Sequence, residues 1–447
     1  MSFESVVTEV RDRVVPDESE VEALESAVEA LAERASGAID SLPVAAETKL
    51  VGSTARGTWL AGDRDIDLFV LFSPELGRDE LERYGLEVGH AVLPNGHEEF
   101  AEHPYVKGEF RGFDVDCVPC YAVEDAAEIR SAVDRTPFHT AYLADRIDPV
   151  ADDVRVAKAF LSAIGTYGSD LRTKGFSGFL TELLVLEYGG FRAFIDAAVD
   201  WTPPLRFDPE GHGTRSFDDP LVMIDPTDPE RNVAAVCSAR NVARTIHYAR
   251  DLSADPRVEL FEASTRNPLS ADEVEAALDD RATAPIAVRF ATPSIVDDQL
   301  YPQLEKSLAG IEGALERAGF APMRSSCFAA DDAVLLVECA VGELPAIARH
   351  DGPPVSVREH AEGFYRAYRD GDTTGPFIDE NGRYIVERTR DARTPEELVR
   401  STLFDVSLGP HVESALEADH EVLVGKEVAA LAAQFGTELA EYFYPKP

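Results

Sequence analysis

The segment that most constrains this chain is Asp65-Ile66-Asp67-Leu68-Phe69-Val70-Leu71-Phe72, a strand candidate that carries two carboxylates into an otherwise apolar run. On a strand, residues two apart face the same way, so Asp65 and Asp67 project together while Ile66, Leu68 and Val70 point to the other side. Adjacent carboxylates repel. Without a cation they cost stability or take up a proton, and a divalent metal is the natural resolution. Hard oxygen ligands suit Mg²⁺. The competing reading is a solvated turn over Ala61 to Asp65, because Asp also starts strands at exposed positions.

Two neighbouring features favour the metal. Gly52-Ser53, with Arg56 close behind, combines a flexible backbone, a hydroxyl and a guanidinium, a set suited to phosphate oxygens. A two-metal site for phosphoryl transfer also needs a third carboxylate. Phe113 to Tyr121 reads as a second strand with Asp114 and Asp116 on one face, and spacing alone does not choose between them.

The surrounding chain reads as mixed. Apolar residues at helical spacing mark two helices in residues 3 to 35, split by Pro16 with Asp17 as cap. Strands follow at Asp65 to Phe72 and Val106 to Phe110, the latter turning through Arg111-Gly112 into Phe113 to Tyr121. Between about Asp152 and Tyr248 the period is helical, interrupted by a Pro- and Asp-rich loop from Trp201 to Arg231. Strands return at Ile286 to Ala291, Ala333 to Ala340 and Arg383 to Thr389, among helices at Tyr301 to Ala318, Pro395 to Leu403 and Lys426 to Tyr442. A chain of 447 residues exceeds one hydrophobic core, so two or three domains are expected.

Charge narrows the environment. The net charge is -41, from 83 Asp and Glu against 42 Lys and Arg, yet the chain is patterned and rich in Leu and Val, which excludes a disordered acidic tail. A salt-rich cytoplasm accounts for it: surplus carboxylates keep the surface hydrated, and salt screens their repulsion. Five scattered cysteines argue against a disulfide framework, and the start of the chain lacks a basic then apolar signal region. The expected setting is cytoplasmic, with no membrane span; the most apolar helix candidate, Phe176 to Phe194, is interrupted by Glu182 and Glu187.

Taken together, Gly52 to Phe72 and V-D-C-V-P-C-Y (Val115 to Tyr121) resemble the nucleotidyltransferase signature of the polymerase-β superfamily, and more narrowly the archaeal, class I tRNA CCA-adding enzymes. The resemblance continues through T-P-F-H-T (Thr136 to Thr140), Lys158 to Leu180 and D-P-E-R-N-V-A (Asp228 to Ala234), and more loosely through Glu380 to Glu387. It implies an α+β multidomain fold: a nucleotidyltransferase head over 1–145, a helical nucleotide-binding middle domain over 146–257 and a mixed α+β tRNA-binding part over 258–447. The implied activity is untemplated addition of C, C and A to the 3′ end of tRNA from CTP and ATP, with release of pyrophosphate. Similar enzymes are often homodimers. Rivals are a poly(A) polymerase or oligoadenylate synthetase, which share the carboxylates, and a non-catalytic nucleotide-binding regulator.

Carried over position by position, the resemblance implies metal ligands at Asp65, Asp67 and Asp116, the last because it directly precedes the C-V-P-C-Y run. Ser53 and Arg56 would hold the triphosphate, joined by His139, Lys158 and Tyr167. His139 also reads as an ordinary half-buried histidine. Lys158 borders an apolar stripe in a chain with few lysines and wants an anionic partner. Tyr167 would face away on an unbroken helix, but Gly165 and Gly168 should end that helix and let the ring turn back. Arg231 is a candidate for reading the incoming base, with a structural salt bridge to its acidic neighbours an equal competitor. Arg366, Arg369, Arg383, Arg388, Arg390 and Arg393 form the candidate tRNA-facing cluster, against a solvated mixed-charge face. Cys117 and Cys120 lack a second pair at zinc spacing, Asp370 to Gly375 lacks the closing Glu of a calcium loop, and no P-loop motif is present.

Overall fold

Pro16 cuts the start of the chain into two helices, each closed by a side-chain cap. In the computed structural model, which describes residues 1–100, 102–263 and 266–447, α1 spans Phe3–Val14 and α2 Glu18–Ile39. The Ser2 hydroxyl accepts from Ser5 N, and Asp17 forms a reciprocal capping box with Glu20. The described chain divides into two compact units, Met1–Ser264 and Thr265–Pro447.

The first sheet is built around the Asp65 to Phe72 segment. After β1 (Ala46–Val51) and the one-turn α3 (Gly52–Ala55), β2 (Asp65–Phe72) runs into the sheet. Helix α4 (Arg78–Val92), β3 (His97–Phe100), β4 (Pro104–Phe110) and β5 (Phe113–Tyr121) complete it in the order β1-β2-β5-β4-β3. Strands β2 and β5 are parallel, with Asp65 opposite Asp114 and Asp67 opposite Asp116. Arg111 and Gly112 both take positive φ, +52° and +81°, which is the two-residue turn that lets β4 fold back onto β5. One face, with Ile66, Leu68, Val70 and Phe72, packs under α2 and α4. The other carries Asp65 and Asp67 and then a small patch of Phe69 and Leu71 with Val51 and Cys120, so the carboxylates lie where that face is least covered.

The helical part of this unit contains α5 (Thr136–Ile147), α6 (Ala151–Ala163), α7 (Gly178–Tyr188), α8 (Phe191–Ala198) and α9 (Ala239–Ala254). Its core takes in Phe3, Val6, Val7 and Val10 of α1 as well as Leu143 and Ile147 of α5. The sequence reading puts α1 with the 1–145 head; instead its apolar face is buried in the helical core, with Phe3 stacked on Phe191 at 6.0 Å. Helix α6 stops before Gly165 (φ +69°), and Gly168 (φ +119°) turns the chain again, so Tyr167 swings back as expected. The stretch from Trp201 to Arg231, expected to be a loop, holds a three-stranded sheet of β6 (Leu205–Phe207), β7 (Leu221–Asp225) and β8 (Asp228–Asn232). Every residue of β7 is buried. A five-residue strand among Pro and Asp has too little periodicity to show in the sequence.

The second unit begins with α10 (Ala271–Arg281), β9 (Ala284–Ala291), α11 (Asp297–Ala318), β10 (Pro322–Ala329) and β11 (Asp332–Cys339). It continues with β12 (Ile347–Pro354), α12 (Arg358–Tyr368), β13 (Thr374–Ile378), β14 (Arg383–Thr389), α13 (Pro395–Thr402), α14 (Pro410–Ala418), β15 (Glu421–Val424) and α15 (Ala432–Phe443). An antiparallel sheet, β10-β11-β9-β15, has a core on each face, and β12-β14-β13 forms a smaller sheet. The helix expected from Lys426 is a 3-10 segment, Gly425–Leu431, followed by α15. No described helix is long and apolar enough to cross a membrane, and all five cysteines are free thiols.

Candidate active site

The carboxylates meet at the mouth of the first sheet. Asp67 is flanked by Val51 on β1 and Asp116 on β5, and its Oδ2 comes within 2.0 Å of where a Cβ on Gly52 would stand. Gly52 also has φ +75°, so both space and backbone demand glycine there. Burial, then the charges of Asp116 and Asp65, push the Asp67 carboxyl up to about 6, against the pull of Arg56 and Lys107. Asp65 and Asp116 are raised as well, burial first in both cases. Lys107 Nζ lies 3.3 Å from Asp116 Oδ1, a contact the sequence reading missed. That buried oxygen has no hydrogen bond of good geometry, so the contact is an attraction of charges without alignment. Asp114, the alternative third carboxylate, is exposed beside Asp65, whereas Asp116 is half-buried beside Asp67.

These residues suit a hard divalent cation: the donors are carboxylate oxygens, burial and mutual repulsion raise their proton affinity, and one buried oxygen lacks a hydrogen-bonded partner. Among the described residues, no three Asp, Glu, His or Cys side chains have already converged to the distances of a closed metal site.

Behind the carboxylates lies a buried ionic knot that the sequence reading did not anticipate. Glu182 of α7, fully buried, lies 2.9 Å from Arg56 Nε through Oε2 and 3.6 Å from Lys158 Nζ through Oε1. The Thr58 hydroxyl donates to Glu182 Oε1. Lys158 Nζ also donates to Thr58 O at 2.9 Å and Thr58 Oγ1 at 3.2 Å. Two of its N–H groups are thus taken by Thr58, and Glu182 is the anionic partner its surroundings required. Burial lowers the Lys158 pKa, and Glu182 pulls it back up. Arg56 also reaches Thr140 Oγ1 through Nη1 at 3.3 Å, and neither contact uses Nη2. The Tyr167 hydroxyl is close by: a Cβ on Gly178 would stand 3.1 Å from it and 4.0 Å from Lys158 Nζ. Ser53 sits in the one-turn α3, its carbonyl accepting from Thr58 N.

His139 and Arg231 form a second group. Both bond to Oδ2 of Asp225, His139 Nε2 at 2.8 Å and Arg231 Nη1 at 2.7 Å, and the His139 ring stacks on Phe179 at 3.9 Å. The salt bridge weighed for Arg231 therefore exists, with Asp225 rather than its immediate neighbours, and it leaves the arginine side chain 35% exposed. In the second unit, Arg366, Arg369 and Arg393 lie in exposed pairs with Glu362, Asp370 and Glu343, and Arg390 donates to Ala318 O. Such solvent-screened surface pairs contribute little to stability. Glu182 and Asp225 carried the same signal as Asp65 and Asp67, a carboxylate in an apolar run: G-F-L-T-E-L-L-V-L and L-V-M-I-D.

Comparison with known proteins covers the whole chain. Residues 33–139 match the nucleotidyltransferase domain model, 152–262 the second domain of tRNA nucleotidyltransferase and 281–425 the C-terminal domain of the CCA-adding enzyme. The CCA-adding enzyme of Haloarcula marismortui is 58% identical over 463 aligned residues, spanning 100% of this chain and 99% of its own. The chain belongs to the CCA-adding enzyme family. Further members from Halorubrum lacusprofundi and Halobacterium salinarum are each 54% identical over at least 99% of both chains, in keeping with the salt-adapted composition. Nucleotidyltransferases of this kind use divalent metal ions. Among solved structures, E. coli MS115-1 CdnC with ATP aligns at TM-score 0.44 and 19% identity over 58% of this chain and 95% of that one.

Proposed function

We propose that this chain adds C, C and A to the 3′ end of tRNA without a template, using CTP and ATP and releasing pyrophosphate. The observation that carries the reading is the register of Asp67 against Asp116 on adjacent parallel strands, with Gly52 closed over Asp67, in a chain whose family is defined by that activity. Asp65, Asp67 and Asp116 would hold two Mg²⁺ ions, with Asp116 exchanging its loose Lys107 contact for the cation. When bound, such ions lower the pKa of the attacking 3′-hydroxyl and neutralise charge on the pyrophosphate.

The protein's own groups do the rest. Ser53 and the N–H groups of its turn receive phosphate oxygens, and Arg56 offers its uncommitted Nη2. Lys158, held by Thr58 and Glu182, supplies positive charge from behind. Tyr167 and His139 complete the phosphate surround, and Arg231, partly exposed, offers N–H donors to the acceptors on cytosine and adenine. We further propose the three-part division at 145/146 and 257/258, with α1 packed into the core of the middle part, tRNA contact through the arginines of the last part, a cytoplasmic site of action and a homodimer in solution. The test is incorporation of each labelled NTP on tRNA lacking its last three bases. CMP, CMP and AMP in order, with pyrophosphate release, is expected. Extended AMP tracts would instead favour a poly(A) polymerase, and no pyrophosphate a regulator.

A further inference from the structure

Asp225 is the last residue of β7, and its side chain is fully buried. Both of its oxygens are filled. Oδ2 accepts from His139 Nε2 at 2.8 Å and Arg231 Nη1 at 2.7 Å, and Oδ1 accepts from Thr227 N at 2.9 Å and Thr227 Oγ1 at 2.8 Å. Its backbone carbonyl accepts from His212 Nε2 at 2.9 Å. A carboxylate held by four hydrogen bonds cannot rotate, so whatever it holds is fixed in position and angle. Burial works against its charge, but the bonds from His139 and Thr227 hold its pKa below the ordinary carboxylate range. It is therefore an anion and a pure acceptor.

Two consequences follow for its partners. The His139 nitrogen facing Asp225 must carry a proton, which leaves Nδ1 as the ring nitrogen with no partner among the described residues; to donate to a phosphate oxygen Nδ1 must be protonated as well, and the Asp225 anion on the far side of the ring supports that imidazolium. Phe179 fixes the plane of the ring at 3.9 Å and 15°. Arg231 is held by one edge only, through Nη1, so the rest of its fork stays available.

We infer that Asp225 is a positioning residue that locks His139 and Arg231 to a single anion, so that the contact to the nucleotide's phosphates and the contact to its base are set as one rigid unit. The inference rests on reading those two side chains as nucleotide contacts. A β7 carboxylate thereby couples α5, which carries His139, to β8, which carries Arg231. This explains how one site can present the same geometry to CTP and then to ATP without a template strand.

The test combines steady-state kinetics with ¹⁵N-histidine NMR on the full chain. Asp225→Asn should raise KM for both CTP and ATP at least tenfold, with a smaller fall in kcat, and should convert His139 from the Nε2–H tautomer to a mixture. His139→Ala and Arg231→Ala should each raise KM, and adding Asp225→Asn to the pair should change it less than twofold, since the carboxylate acts only through them. If Asp225→Asn does not fold, Thr227→Val removes one of the four bonds and should raise KM severalfold in the same direction. An unchanged tautomer with KM within twofold of wild type in these carboxylate and threonine variants overturns the coupling. Unchanged KM in His139→Ala and Arg231→Ala overturns the nucleotide-contact reading instead, and the tautomer then decides the coupling by itself.

Discussion

Replacing Glu182 by Gln keeps the shape of the side chain and removes its charge, leaving Arg56 and Lys158 buried without their ion-pair partner. At separations of 2.9 and 3.6 Å the two attractions are each about 5 kcal/mol at an effective dielectric near 20. Much of this is offset by the cost of burying the carboxylate, and removing one member of a buried ion pair typically costs ~3–5 kcal/mol net. For a unit of this size that is a fall of roughly 6–20 °C in Tm. The chain has two tryptophans, Trp59 and Trp201, both buried in the first unit, so intrinsic fluorescence during thermal or urea unfolding reports that unit alone. Lys158→Met in the same background should recover part of the loss, because it removes one of the two stranded cations. A loss below about 1 kcal/mol for Glu182→Gln, or no recovery in the double variant, would refute the view that the knot is held by charge.

Asp67→Asn should abolish incorporation of CMP and AMP while leaving the fold intact. In metal-free protein it should also stabilise. The folded-state pKa of about 6 lies above the ordinary 3.8, so Asp67 favours folding below pH 3.8 and that contribution is lost as pH rises through 6. Above pH 6 the charged group costs up to about 3 kcal/mol, from a span of ~2.2 pH units at ~1.4 kcal/mol each. Urea unfolding of wild type and variant at pH 4 and pH 8, with chelator present, should therefore show a difference only at the higher pH. Gly52→Ala places a methyl 2.0 Å from Asp67 Oδ2 at φ +75° and should cost activity by 100-fold or more, whereas Gly62→Ala, which shares the backbone strain at φ +85° but has no atom within 4 Å of the new methyl, should lose stability without that loss of activity.

Much of this architecture was legible in local sequence. The two N-terminal helices, the strands β2, β4 and β5 and, in the second unit, β9, β11, β14, α11, α13 and α15 show because each is long or periodic enough to bury one face. β7 did not show. It is buried on both faces, and its partners β6 and β8 are short strands set among Pro and Asp, so its pattern exists only once the sheet is assembled. The placement of α1 escaped for a similar reason. An amphipathic helix announces that it has an apolar face, and the choice between two cores that could receive that face is made by shape, here by Phe3 against Phe191.

The active-site residues divide along the same line. Alternation along one strand determined that Asp65 and Asp67 share a face, and the ordered motifs determined the family, because both are properties of residues close in sequence. What occupies the other side of each charge was decided by tertiary structure. Glu182 meets Arg56 across 126 positions, and Asp225 meets His139 across 86. No local spacing encodes such pairs. Burial requires that a charge find a partner, and only the packed fold determines which.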